Sequence, residues 1–179
     1  VGAVISSAVG GRRAHPPKPE KIWKQKINKK ERRKAIRSAI AATINKDLVK
    51  LRGHHFKELP LIIEDIESIK KTKDLRELLI KLGLEKELER ANIKRIKAGR
   101  SKTRGRYKVP KGALIVIEKN SPVVKAVNNL LGFETCNVDS LNAELLAPGT
   151  QPGRLTIWSL GAINKLEKEN LYFRKNGPI

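Results

Sequence analysis

The chain is 179 residues long, enough for one domain with a proper core and an appended arm, and short of two full domains. Hydrophobic residues make up 39% and charged residues 32%, which argues against a membrane span and against wholesale disorder. Thirty-nine Lys and Arg against eighteen Asp and Glu leave a net charge of +21, a self-repulsion usually tolerated because a polyanion neutralises it.

Taken in chain order, residues 1–28 read as an extended basic arm. Gly10-Gly11-Arg12-Arg13-Ala14-His15-Pro16-Pro17-Lys18-Pro19 carries three prolines, which remove donors and force extended backbone. Asn28 then reads as a helix N-cap, with Glu31 placed to reach back as in a capping box. Ala35, Ile36, Ala39, Ile40, Thr43 and Ile44 follow at helical spacing and make one apolar stripe. Arg32, Arg33 and Arg37 fall largely outside it. Asp47 to Arg52 adds a short helical turn stopped by Gly53.

From Leu59 the pattern changes. Leu59 to Asp65 is a short apolar run of the kind expected for a strand buried on both faces. Ile66, Ile69, Leu75, Leu78, Leu79 and Leu82 keep helical spacing up to Gly83, and Leu84 to Ile96 continues as a second helix. Residues 97–111 have no apolar face and are expected to form a loop. Gly112 to Glu118 is a second buried strand, and Ser121-Pro122 opens a helix through Leu131. Phe133 to Val138 is a third strand, and Asp139 caps a short helix through Leu146. Residues 148–153 form a turn, Arg154 to Ser159 a fourth strand, and residues 161–170 a last helix. Residues 171–179 read as a loose tail. Strands alternating with helices demand crossovers, so the expected fold is α/β, a three-layer α/β/α sandwich on a mainly parallel four-stranded sheet. Residues 29–170 are its single domain.

The charge is unevenly spread along this plan. Residues 1–58 carry net +12, residues 59–89 net −2, residues 90–112 net +10 with no acid, and residues 113–179 net +1. Two segments therefore hold the whole excess, and the rest is electrically an ordinary globular protein.

Enzyme chemistry finds little support. No G-x-G-x-x-G follows a strand, and residues 99–105 lack the ending of a phosphate loop. Glu64, Asp65 and Asp139 at strand ends are the acids an alternative reading, a small RNA-acting enzyme, would need. His54-His55 reads as a solvated pair and not a metal site, and Cys136 as a small core residue. One cysteine forms no internal disulfide and fits a reducing compartment. No catalytic group, metal, cofactor or small-molecule substrate is expected. The absence of methionine implies that the native start lies outside this sequence.

The basic segments have positive chemistry instead. Arginine offers a planar fork for phosphate, and glycine lets backbone approach a sugar-phosphate strand. The expected phosphate contacts are Arg12, Arg13, Lys18, Arg32, Arg33, Arg37, Lys97, Arg100, Lys102, Arg104, Arg106 and Lys108. His15, Trp23 and Tyr107 stand among them, where they can stack on exposed bases; Trp23 can equally anchor the arm to the core. With only 4% aromatic residues, recognition of folded RNA by shape fits better than sequence reading of duplex DNA.

The residues also carry a resemblance. Gly10-Gly11-Arg12-Arg13-Ala14-His15-Pro16-Pro17-Lys18 and Asn28-Lys29-Lys30-Glu31-Arg32-Arg33, then Arg52-Gly53-His54, Lys97-Ala98-Gly99, Arg104-Gly105-Arg106-Tyr107 and Pro152-Gly153-Arg154-Leu155-Thr156-Ile157-Trp158, follow in an order that resembles the archaeal branch of the L-four family of large-subunit ribosomal proteins. The likeness covers about residues 10–168. It implies a three-layer α/β/α core, direct binding to large-subunit ribosomal RNA beside neighbouring ribosomal proteins, and a cytoplasmic, ribosome-bound setting. It also implies a long basic extension toward the polypeptide exit tunnel, most of which would precede Gly10, with Val1 to Val9 as its return limb. Arg154 joins the expected RNA contacts by resemblance alone.

Overall fold

The computed structural model describes residues 4–99 and 105–173. Helix α1 spans Lys29–Ala42 and starts where Asn28 ends the arm, its side chain accepting from the Lys30 N–H at 3.1 Å. That bond, not a Glu31 capping box, closes the first turn. Ile36 and Ala39 are buried along the expected stripe, whereas Ala35 and Ile44 stay exposed. Helix α2, Lys46–Leu51, is capped by Asn45 and ends at Gly53, which takes the positive φ of +86° that a Cβ disfavours.

Strand β1 is only Leu61–Ile63 and lies at the edge of the sheet. Ile62 is exposed, so the expectation of a strand buried on both faces fails here: an edge strand has one uncovered flank. The helix expected from Ile66 begins later. Ile66–Ser68 is a 3-10 turn, and helix α3 proper is Thr72–Lys81. Helix α4 is Glu85–Asn92 and does not run on to Ile96. Arg95–Ile96 instead forms strand β2, paired antiparallel with strand β3, Tyr107–Lys108. Tyr107–Lys108, within the segment expected as a plain loop, is therefore one strand of a two-stranded ribbon.

Strand β4, Leu114–Ile117, is buried throughout and forms the middle of the main sheet. Helix α5, Val123–Asn128, strand β5, Glu134–Asn137, and helix α6, Ala143–Leu146, follow. Asn142 caps α6 by accepting from the Leu145 N–H at 2.8 Å, the place expected for Asp139. Strand β6, Thr156–Ser159, and helix α7, Leu160–Lys168, complete the domain. The order β1-β6-β4-β5 is parallel at every pairing, with Ile115 opposite both Thr135 and Ile157.

Alternation along β4 makes the two core layers. Ile115 and Ile117, with Ile157, pack beneath Leu75, Leu79, Leu84 and Val127. Leu114 and Val116, with Trp158, pack against Ile36, Ala39, Leu146 and Ala162. Helices α2 to α5 thus cover one face and α1, α6 and α7 the other. Of the expected loose tail, residues 171–173 are pinned: Leu171 and Tyr172 pack on the second layer, and the Tyr172 hydroxyl donates to Val138 O at 2.6 Å.

His54 departs from expectation most sharply. It is buried, with Nδ1 2.8 Å from Glu87 Oε1, while His55 alone is exposed. Glu87 is fully buried and accepts from Arg90 Nε at 2.9 Å and Nη2 at 2.6 Å. Burial alone pushes its carboxyl upward, but the bonds from Arg90 and His54 outweigh it and hold the group at about 2. Burial also pushes the His54 imidazole below its ordinary value, against the pull of Glu87.

In both cases the unfolded chain takes up protons first, so acid removes stability. The loss begins below pH 6.5 as His54 resists protonation and continues from 4.5 toward 2 at Glu87. Glu87→Ala is expected to cost about 3 kcal/mol in urea unfolding at neutral pH, because it strands Arg90 and His54 without their buried partner. Glu87→Gln is expected to erase the part of the acid dependence below 4.5.

Candidate nucleic-acid interface

The structure sorts the expected contact residues into three groups. On the arm, Arg13, His15, Lys18 and Trp23 line one groove with Pro16 and Pro17, about 580 Å³ in volume. The prolines hold that segment extended, so side chains from both ends of the run converge without a core beneath them. Trp23 is 74% exposed and lies under the Lys21 ammonium at 4.5 Å, so it does not anchor the arm to the core. Arg12 is exposed beside the groove.

The second group stands on α1. Arg32 and Arg33 are exposed and Arg37 is half-buried. Arg37 stacks its guanidinium 4.9 Å from the Phe173 ring, and Arg33 Nη1 donates to Phe173 O at 3.5 Å. Phe173 thereby fixes two forks that would otherwise sample many rotamers.

The third group is the β2–β3 ribbon. Arg106, Tyr107 and Lys108 are exposed, and the Lys97 N–H donates to Arg106 O at 3.0 Å, extending the ladder by one bond. Arg106 lies over the Tyr107 ring at 5.8 Å. Arg100, Lys102 and Arg104 lie outside the described residues. The ribbon's return to the core is firmly held. The Gly112 N–H donates to Gly132 O at 2.8 Å, and Arg90 Nη2 donates to Lys111 O at 2.8 Å. Gly132 has φ +78°, and a Cβ there would lie 2.6 Å from Pro110 O, so only glycine permits this approach.

Arg154 does not belong with the surface contacts. It is fully buried, with Nε donating to Gly112 O at 2.9 Å and Nη1 to Glu134 Oε2 at 2.8 Å and Leu145 O at 2.9 Å. Its position at the foot of β6 points it inward, where it ties the ribbon's base to the sheet. It positions the interface and does not form its surface.

The acids named for the enzyme alternative are at the opposite edge, after the carboxyl ends of β1 and β5. Glu64 and Asp65 are exposed, and Asp139 pairs with Lys165. Among the described residues, no group of three or more His, Cys, Asp and Glu residues is placed to hold a metal ion. Cys136 is buried in β5, as expected of a core residue, and burial pushes its thiol pKa up. No helix among the described residues is long and apolar enough to cross a membrane.

The model of the ribosomal protein L4/L1 family matches residues 3–169. The large ribosomal subunit protein uL4 of Nanoarchaeum equitans is 52% identical over 172 residues, covering 94% of this chain and 64% of that protein. The large ribosomal subunit protein uL4 of Archaeoglobus fulgidus is 53% identical over 167 residues, covering 91% of this chain and 66% of that protein. The chain thus spans a little under two thirds of the length of these relatives.

The arm has almost no burial and few internal bonds, so its backbone is open to solvent in the free protein. Amides of residues 12–27 are expected to exchange with deuterium within seconds in the free chain, and those of β4 to survive for hours. A polyanion laid along the arm is expected to slow the arm amides without changing β4.

Proposed function

The chain belongs to the ribosomal protein L4/L1 family, and from that premise we propose that it is a structural RNA-binding component of the large ribosomal subunit, not an enzyme. One observation supports this reading above the others. The excess charge sits on an arm with its helix and on a ribbon, while the body that carries them is close to neutral.

The division of labour follows from that layout. The α/β body supplies rigid points of attachment through its two core layers. Arg12, Arg13, Lys18, Arg32, Arg33, Arg37, Arg106 and Lys108 neutralise phosphates of folded ribosomal RNA, and His15, Trp23 and Tyr107 stack on unpaired bases. Lys97, Arg100, Lys102 and Arg104, from the same basic stretch of sequence, add further phosphate contacts. Residues 1–28 act as an arm laid against RNA, with neighbouring ribosomal proteins flanking the body. The setting is the cytoplasmic ribosome. Cationic groups on the solvent-open arm gain order on binding, which suits assembly onto an RNA that is itself still folding.

If about 6–10 of these cations neutralise phosphates, affinity for large-subunit ribosomal RNA falls about 10³–10⁵-fold between 50 and 200 mM salt on the duplex-DNA calibration. Arg106→Gln with Lys108→Gln is expected to lower the slope of log affinity against log salt by about two. Fluorescence anisotropy across a salt series reads both. An affinity nearly flat in salt, or duplex DNA competing as well as structured RNA, overturns the reading.

A further inference from the structure

The amino edge of the main sheet, beside the foot of the ribbon, opens into a cleft of about 770 Å³. Arg52, Arg90, Arg154, Lys108 and Lys111 supply its cations, and Glu134 and Glu144 its acids. Glu134 is already paired to Arg154 and Lys111, and Glu144 is exposed at the rim. The positive charge therefore exceeds the negative charge, in a space partly withdrawn from water.

Two buried polar atoms of the lining lack partners. Arg154 is fully buried, and its Nη2 has no hydrogen-bond partner although Nε and Nη1 are both engaged. His54, also buried, keeps Nε2 unpartnered. Both atoms lie behind the cleft wall with almost no accessible surface, so no outside group touches them, and the Arg154 charge acts on the cleft from behind that wall.

Arg52 tells the same story. It donates to Pro148 O at 2.7 Å and to Gln151 O, and no carboxylate among the described residues lies within ion-pair distance of it. Burial, then the charges of Arg154 and Arg90, push its pKa below the ordinary guanidinium value. Gly153 backs so closely on Leu48 that a Cβ would come within 2.7 Å of that residue's backbone, which fixes α2 and its terminal Arg52 against Arg154. Repelling cations are thus held side by side by the packing of the chain itself.

We propose that this cleft is a phosphate subsite, in which one backbone phosphate of the RNA lying along the β2–β3 ribbon is gripped by Arg52 and Lys108, with the buried Arg154 and Arg90 behind them as the cationic wall. The inference rests on the RNA-binding reading above and deepens it. Lys108 is the link: it is exposed on β3 and also lines the cleft, so a strand following the ribbon's cations arrives at the cleft mouth. A guanidinium fork such as that of Arg52 matches phosphate oxygens two at a time.

The test uses the whole chain and two probes. Inorganic phosphate is titrated while the arginine Nε–H and histidine ring resonances are followed, and large-subunit ribosomal RNA is bound across a salt series. Phosphate is expected to move the Arg52, Arg154 and His54 signals saturably, and Arg52→Gln to abolish that response. The same substitution is expected to weaken RNA binding about 10–100-fold and to lower the salt slope by about one. Native amide spectra confirm the fold, and if Arg52→Gln disturbs it, Arg52→Lys, which keeps the charge but loses the fork, takes its place with a smaller loss.

RNA affinity and slope unchanged in the Arg52 variant, while Arg106→Gln still weakens binding, overturn the subsite and leave the RNA-binding reading standing. A saturable phosphate response with unchanged RNA binding also overturns it, assigning the cleft to free phosphate. Failure of the unaltered chain to bind the RNA overturns the reading beneath it.

Discussion

The guanidinium of Arg154 has none of its surface exposed, yet it reaches three separate parts of the chain: Gly112 at the ribbon's return, Glu134 at the start of β5 and Leu145 in α6. Burying a cation is costly unless its donors are met by acceptors in good geometry. Here an acid and two carbonyls meet the Nε and Nη1 donors, and the result is a fixed joint between the sheet and the basic ribbon. Arg90 makes a second tie, from Glu87 to Lys111 O. The ribbon, rich in charge and poor in core, has orientation only because these two arginines hold its base.

That arrangement gives the sheet two unlike edges. Parallel α/β sheets usually place ligands beyond the carboxyl ends of their strands. In this molecule that edge carries Glu64, Asp65, Glu118 and Asp139, and Glu67 is committed internally, accepting from the Glu118 N–H at 2.8 Å and the Ser159 hydroxyl at 2.6 Å. The cations gather at the amino edge instead. Two of those acids are paired with Lys119 and Lys165, while the amino edge holds Arg52 with no carboxylate partner among the described residues, so the usual ligand position of the fold class is a poor guide here. Charge decides the side.

Much of the architecture was legible in the chain. Four strand-like runs separated by helical patterns sufficed for the three layers and the parallel sheet, because strands alternating with helices demand crossovers. The arm and its helix were equally plain, from the prolines, Asn28 and the stripe through Ile36 and Ala39. The weak points were short-range competition and edges. Arg95–Ile96 continues a helical rhythm in sequence, yet it becomes a strand because Tyr107–Lys108 returns to pair with it. Ile62 is apolar but exposed, since strand order, which no local pattern encodes, places β1 at the sheet's edge.

The contact residues divide along the same line. Arg12, Arg13, Lys18, Arg32, Arg33, Arg106 and Lys108 are exposed, and their density alone marked them. Arg154 carries the same charge and is buried; His54, beside an exposed His55, is buried against Glu87. Nothing in their neighbours along the chain separates these cases. The sequence by itself determined that this protein is a neutral α/β body bearing two cationic segments, because composition and periodicity are local sums. Only the tertiary structure decided which cations face a partner and which hold the molecule together, because burial and pairing depend on residues brought close from far along the chain: Arg154 with Gly112, Glu87 with His54, Arg52 with Arg154.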